Sequence, residues 1–599
     1  MISVDKSFKD KIVYSATVVS VLLCALLSGG ISWQGCLCSL IFMTVCIFVA
    51  GGIKNVRYLL PLAVIVITGV ISVFGGLGNT QTGIYEFVKF MCFVAAFALG
   101  QSFKDKRQIL KVIYYTALAV AFIGILAYCR IIDFSEFTFR DAAFRRLQSS
   151  VRYANVTACV LACGYISFLE LFCRENKRVY LYGGACIIIA LYLTISKACL
   201  PVFLVLGTAY LCKNKQLSRI FLVQNLVAIF IVSVLIIADK IAYLPIPLIA
   251  AGLFVSARVG ESDTKYFKLW ICVSGFFVLA AAAAIVYKPS LFQTFAQRIG
   301  YMKDSIALIS ENFLFGCGFG SWRVLQYKVQ TWQYSVTYLH NGILQMLIEN
   351  GFLFTTAFLV IIVLSVIKAV KSKSYFYAAM IMIIALHSLV DCDLSFGVVL
   401  IILGLISGNA LSGHDSTDTH AGLYRIAINL VLVLCLSVTG VYALSEYILR
   451  CSFENAYLEN EIQNASKALS RLEVICPLDA NVKVNRAMIE AKTSNDKAKV
   501  TGYLKEATRL SPYDAQIYED YMSYCIADAD ISKLCSKYVE LAPKQERTYA
   551  FLRQYLQDAK EKGIISQKVY SGLLAQFENR RIKEEVIDRD DLLTEISQQ

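Results

Sequence analysis

A chain of 599 residues that is 57% hydrophobic and only 17% charged, with a mean hydropathy of +0.60, has the composition of a polytopic membrane protein. Residues 451–599 hold 21 Lys+Arg against 24 Asp+Glu, so the whole +13 net charge, and three charges more, sits in residues 1–450. There the basic residues flank apolar runs, where they set orientation, and they are not a nucleic-acid footprint. Most of the 20 cysteines lie inside apolar runs such as LLCALL and ACVLACG, where Cys behaves as a small hydrophobe. No spacing typical of a zinc site occurs, so no disulfide framework, metal or other cofactor is expected.

Spanning a bilayer takes about 20 mostly apolar residues. Runs of that kind lie near 12–29, 34–51, 58–77, 84–101, 108–129, 154–173, 179–196, 198–212, 219–238, 240–257 and 267–287, then at 351–369, 376–391, 393–411 and 423–444. The first, behind MISVDKSFKDK, reads as a membrane helix and not as a cleaved leader, because no small-residue cleavage site follows. With the N-terminus cytoplasmic, the basic loops KNVR, KDKR, CRENKR and CKNKQLSR all fall on that side, as the positive-inside rule requires. Two outer segments break the rule. One is 130–152, with five arginines, and the other is the polar stretch 288–350, which interrupts the apolar runs. Positive charge placed outside suits an anionic ligand, or amphipathic helices on lipid headgroups.

The expected fold is therefore all-α. A polytopic transmembrane helical bundle of about 12–15 spans occupies 1–445, including the outer segment 288–350, and an α-helical repeat domain occupies 446–599. In the latter Pro477, Pro512 and Pro543 recur at spacings of 35 and 31 residues, with helical patterns before and after each. That resembles tetratricopeptide repeats of about 34 residues, which form binding surfaces. The span count puts this tail outside, where it would serve a protein partner or the acceptor.

Chemistry-bearing residues are few. Of four histidines, His414 and His420 sit in a small polar loop, whereas His340 opens LHNGILQMLIENG where 288–350 re-enters the apolar region. Imidazole there can take a proton near neutral pH, although a lone His is ordinarily structural. His387 lies in ALHSLVDCDLSF with Asp391 and Asp393 behind it, and Asp391, four residues on, would share a helix face with it. This pair reads equally well as a helix-packing lock. On the outer side Arg145, Arg146, Arg152, Lys197, Arg298, Lys303 and Arg323 supply groups that bind phosphate oxygens. The glycines of FGCGFGSW lack the GK[ST] ending of a Walker motif and are expected to make a tight turn near the substrate.

Taken together, these residues resemble the O-antigen ligase and Wzy-type polymerase family. The matches are Arg298, then FLFGCGFGSW, then His340, Asn341, Gln345, Glu349 and Gly351. HSLVDCDLSF, with His387 and Asp391, is similar to the family's H-x-x-x-D, and RYANVTACVLA, with Asn155, to its Asn-bearing segment. The likeness covers most of 84–411 and is sharpest over 298–351. Asn312 and Tyr153-Ala154-Asn155 stand where the family carries Pro, and Lys197 stands where an Arg clamp is usual.

The resemblance implies a metal-independent, inverting glycosyltransferase of the bacterial cytoplasmic membrane. Its substrates would be an undecaprenyl-diphosphate-linked glycan donor and a hydroxyl-bearing glycan, lipid or protein acceptor, joined at the outer face. It implies that His340 handles the acceptor hydroxyl and that Arg152, Lys197 and Arg298 hold the diphosphate. Arg323, Asn341, Asn155, His387 and Asp391 would complete the substrate site. Two other readings are a RodA-type peptidoglycan polymerase and a flippase or transporter of lipid-linked glycans. A transporter would carry internal repeats and midplane charges; no such repeat is visible, and the charges cluster at the outer boundary.

Overall fold

Apolar runs broken by short polar turns fold as helices, because backbone groups in an apolar setting must be satisfied within their own segment. In a computed structural model, the described residues are 6–584 apart from 51, 141–144, 212–214, 238–243, 259–289, 413–419, 495 and 525–530. Helix accounts for 80% of the structure, in 23 helices among the described residues. The first five are α1 (Lys6–Leu26), α2 (Trp33–Ala50), α3 (Leu59–Phe74), α4 (Thr80–Gly100) and α5 (Lys106–Tyr128). A short antiparallel hairpin follows, β1 (Thr138–Arg140) and β2 (Arg145–Leu147), which the all-α expectation did not include. Then come α6 (Ala154–Glu175), α7 (Val179–Leu193), α8 (Cys199–Leu211), α9 (Lys215–Ile237) and α10 (Pro245–Arg258).

The polar stretch 288–350 is itself largely helical, with α11 (Ser290–Glu311) and α12 (Trp322–Val329) ahead of α13 (Gly342–Lys371). Next are α14 (Tyr375–His387), α15 (Gly397–Ala410) and α16 (His420–Leu458). Among the described residues seven helices are long and apolar enough to cross a membrane: α2, α4, α5, α6, α9, α13 and α16. Each apolar run read from the sequence coincides with a helix, except 267–287, which lies outside the described residues, as does His414.

The centre is the contact of α4 with α15. A Cβ on Gly404 would stand 2.6 Å from the Phe93 carbonyl oxygen, one on Gly408 2.0 Å from that of Phe97, and one on Gly100 2.4 Å from that of Leu405. Small residues four apart let two apolar helices touch backbone to backbone. Asn79 starts α4 and Asp105 starts α5 by accepting from the backbone N–H two residues on, at 2.9 Å in each case.

No linker marks the expected boundary at 445/446. No Pro interrupts the chain between His420 and Leu458, and α16 runs unbroken until Asn460 takes a positive φ of 60°. Beyond it lie α17 (Ile462–Ile475), α18 (Ala480–Thr493), α19 (Lys497–Leu510), α20 (Ala515–Tyr524), α21 (Ile531–Leu541), α22 (Glu546–Glu561) and α23 (Gln567–Lys583). Pro477, Pro512 and Pro543 fall in the turns after α17, α19 and α21. Asp479 ties this part to the rest: it starts α18, accepts from Arg450 Nη2 at 2.8 Å, and accepts from Asn79 Nδ2 at 3.2 Å.

The α4–α15 contact generates a test. Gly408→Val forces a branched side chain onto the Phe97 carbonyl, and overpacking of this kind costs about 3 kcal/mol or more. The variant is expected to lose its monodisperse peak and several degrees of melting temperature in detergent. Gly502→Ala, whose added Cβ meets nothing within 4 Å, should behave as the unaltered protein. Equal behaviour of the two would contradict the packing.

Candidate functional site

α14 ends at His387, and the segment 388–396 that follows turns back to start α15. Asp391 lies in this turn, its side chain fully buried. Around its carboxylate converge five donors from four parts of the chain. The Tyr153 hydroxyl donates to Oδ1 at 3.0 Å and Asn155 Nδ2 to Oδ2 at 2.6 Å, both from the start of α6. Arg298 Nη1, from α11, donates to Oδ2 at 3.3 Å and to the Val390 carbonyl at 2.7 Å. The Cys392 N–H donates to Oδ1 at 2.9 Å. His340 Nδ1 stands 3.5 Å from Oδ1 and 3.5 Å from the Tyr153 hydroxyl, the outer limit of such contacts.

Burial opposes the Asp391 charge, but the His340 hydrogen bond and the Arg298 guanidinium outweigh it and hold the carboxyl well below the usual carboxylate range. Burial first, and then the Asp391 charge, raise the Tyr153 phenol well above its ordinary value, so it stays a donor. With Nδ1 facing the carboxylate, the neutral His340 ring carries its proton there and presents Nε2 as an acceptor. His340 and Arg298 each keep 20% of their side-chain surface exposed, so both open outward from the buried Asp391.

The motif around His340 builds its own support. The Asn341 side chain starts α13 by accepting from the Leu344 N–H at 2.9 Å. Gln345 Oε1 accepts from the Leu339 N–H at 3.0 Å and so fixes the residue before His340. Glu349 Oε1 accepts from the Trp322 N–H at the start of α12, at 3.3 Å. Gly351 then breaks α13 with φ 77°, which frees the carbonyls of Ile348 and Glu349. The glycine run fills the gap: Cys317 N–H donates to Ile348 at 2.8 Å and Gly318 N–H to Glu349 at 2.7 Å. Gly316, Gly318 and Gly320 all have positive φ. A Cβ on Gly316 would lie 2.4 Å from the Glu349 backbone. Gly316 and Gly318 therefore clamp the α13 break by close approach to backbone, whereas Gly320 packs on the Thr82 side chain.

Other expected members fall elsewhere. His387 does not pair with Asp391: the helix stops at His387, so the four-residue spacing loses its shared face, and His387 Nδ1 bonds Asp393 Oδ2 at 2.6 Å in a fully buried pair. Arg323 is held by Glu86 and Tyr338, each at 2.7 Å, and Lys89 joins the same buried group. Burial, with the Glu86 charge, pushes the Tyr338 phenol up to about 12, so this hydroxyl also keeps its proton. Arg152 has φ 60° and pairs with Glu136 at 2.6 Å on the surface. Lys197 is exposed in the turn after α7. Arg146 reaches the cluster from that side, donating to the Thr194 carbonyl at 2.9 Å and to Asn155 Oδ1 at 2.8 Å. Tyr153 had no place in the sequence reading of the site, though it lies within RYANVTACVLA, two residues from Asn155.

In comparisons with known proteins, no family model matches the chain and no curated protein aligns with it.

The hub role of Asp391 is testable by stability. Removing one partner of a buried charged cluster costs about 3–5 kcal/mol, whereas losing one of several donors costs about 1 kcal/mol. Asp391→Ala should therefore lower the melting temperature of the detergent-solubilised protein several times more than Tyr153→Phe. A depressed folded-state pKa gives stability that is complete above the unfolded value, about 3.9, and lost as pH falls through the folded value. The advantage of the native protein over Asp391→Asn should thus be flat near neutrality and shrink only in strong acid. Similar small losses for Asp391→Ala and Tyr153→Phe would refute the hub.

Proposed function

We propose that the chain is a multi-pass glycosyltransferase of the bacterial cytoplasmic membrane, of the O-antigen ligase and polymerase type. It moves glycan from an undecaprenyl-diphosphate carrier onto a hydroxyl acceptor at the outer face. The observation that carries the reading is the meeting of His340, Arg298, Asn155 and Asp391 at one point, although 236 residues separate the outermost two, Asn155 and Asp391, which helix packing brings together around the turn 388–396. Seven helices long and apolar enough to cross a membrane among the described residues, and the resemblance of the Arg298–Gly351 segment, support the same reading.

In this mechanism the acceptor hydroxyl gives its proton to His340 Nε2 as its oxygen bonds to the anomeric carbon. The bond from that carbon to the diphosphate oxygen breaks on the opposite face, which inverts the centre. Asp391 holds the His340 ring in the tautomer that can accept and stabilises the imidazolium that forms. Arg298, fixed by the Val390 carbonyl and Asp391, lies beside His340 to meet the charge that develops on the leaving diphosphate. Arg152 and Lys197, on the two segments that flank the cluster, are the further cations for that group. The paired helices of 462–583 would form a tetratricopeptide-like surface for an acceptor or protein partner.

General base catalysis of this kind contributes about 10²–10⁴-fold. Cells carrying His340→Ala at normal membrane abundance should lose polymer and accumulate lipid-linked glycan on the outer face. Asn176→Ala, in the turn after α6, should not. Accumulation on the inner face would favour a flippase, and unchanged polymer would make His340 structural.

A further inference from the structure

The geometry points to a structural transition-metal site, suited to zinc, at Cys159, His387 and Asp393. One donor atom from each of the three lies within 4.8 Å of the other two. Donors that share one zinc ion at about 2.0–2.3 Å stand only a little closer than that. All three side chains are fully buried. They come from the second turn of α6, the end of α14 and the turn 388–396, so no local spacing in the sequence announces them.

Two of the three carry an atom with nothing to bond. His387 Nδ1 meets Asp393 Oδ2 at 2.6 Å, and Ser388 donates to the same oxygen at 3.3 Å. Among the described residues, His387 Nε2 and Asp393 Oδ1 have no hydrogen-bond partner, although both are buried. Buried polar atoms left without a partner are costly, and each calls for a cause. One ion answers both. With the Nδ1 proton held by Asp393, Nε2 offers a lone pair, and a carboxylate behind the other ring nitrogen is the usual support of a metal-bound His. Oδ1 and the Cys159 thiolate bring two negative charges, which a divalent ion cancels. Binding therefore releases one proton, that of the Cys159 thiol.

The donor set selects the kind of ion. Thiolate and imidazole suit zinc and its neighbours, whereas magnesium and calcium take oxygen ligands. A thiol beside an imidazole is also the pattern of a cysteine nucleophile, but a trio with no exposed surface reaches no substrate. Cys163, one turn along α6, contacts the Cys159 thiol and points its own sulfur at the Met380 carbonyl, 3.9 Å away. It is placed for the fourth position of a closed, structural site. The ion ties α6, which presents Asn155, to the turn that presents Asp391. It braces that cluster and takes no part in the transfer itself.

The test is metal binding by the full chain purified in detergent. Cobalt(II) is titrated into chelator-treated protein, because a cobalt–thiolate bond gives an absorption band in the near ultraviolet. A single equivalent should produce that band, and zinc should displace it. Cys159→Ala should abolish the band, and His387→Ala should weaken cobalt binding by about 100-fold or more. Zinc should also raise the melting temperature of the unaltered protein and leave that of Cys159→Ala unchanged. This second readout needs only a small apolar replacement, so it survives poor folding of His387→Ala. Cys186→Ala, buried in α7, should bind as the unaltered protein does. So should His340→Ala, which separates this result from any outcome for glycan transfer. Absence of both the band and the zinc-dependent rise, binding only at millimolar metal, or an equal band in Cys159→Ala would overturn the site.

Discussion

A carboxylate with no access to water must be surrounded by donors or give up its charge. Asp391 is surrounded, and the segments that meet at the turn 388–396 are arranged by that requirement. Tyr153 and Asn155 start α6, Arg298 comes from α11, His340 precedes α13, and the turn after α14 supplies the carboxylate itself. Four segments that share no neighbourhood in the sequence are thus oriented by one charge. The same interaction decides which nitrogen of His340 faces the carboxylate and which faces away from it.

Rigidity behind this point comes from two devices. The α4–α15 contact brings backbones together through Gly404 and Gly408 and gives the bundle a fixed centre. The break at Gly351 divides α13 into a short N-terminal piece, headed by Asn341 and carrying Gln345 and Glu349, and a long apolar piece. Carbonyls freed by the break are taken by the glycine run, and the Phe352 and Leu353 N–H groups freed with them donate to Phe313 and Leu314 at 2.8 and 3.3 Å. His340 therefore sits at the head of a piece held from both ends. A site placed on clamped elements keeps its geometry better than one on a free loop.

Helices and their order were legible because apolar runs of this length have one satisfactory backbone solution. His340, Asn341, Asn155, Arg298 and Asp391 were legible as members of motifs. Their partners were less so. The pairing of His387 with Asp393 depends on where α14 stops, and helix ends are the least readable feature of a sequence. The clamp that the glycine run makes on α13 was not legible, because positive φ serves tight turns and backbone clamps alike. The contact of Arg146 with Asn155 was not legible, because the strand alternation that turns it toward the cluster is visible only once the hairpin is known. The continuity of α16 across 445/446 was hidden by the change from apolar to polar composition, which alters what a helix touches and not whether it forms.

The central claim is that His340, set by Asp391, transfers glycan from a lipid diphosphate. The most direct measurement is reconstitution of the purified full chain in vesicles with a radiolabelled polyprenyl-diphosphate glycan and a hydroxyl acceptor. Labelled product and free polyprenyl diphosphate should be scored together. The account predicts that both appear in equal amounts. Movement of intact donor across the bilayer without cleavage of the diphosphate bond would contradict it.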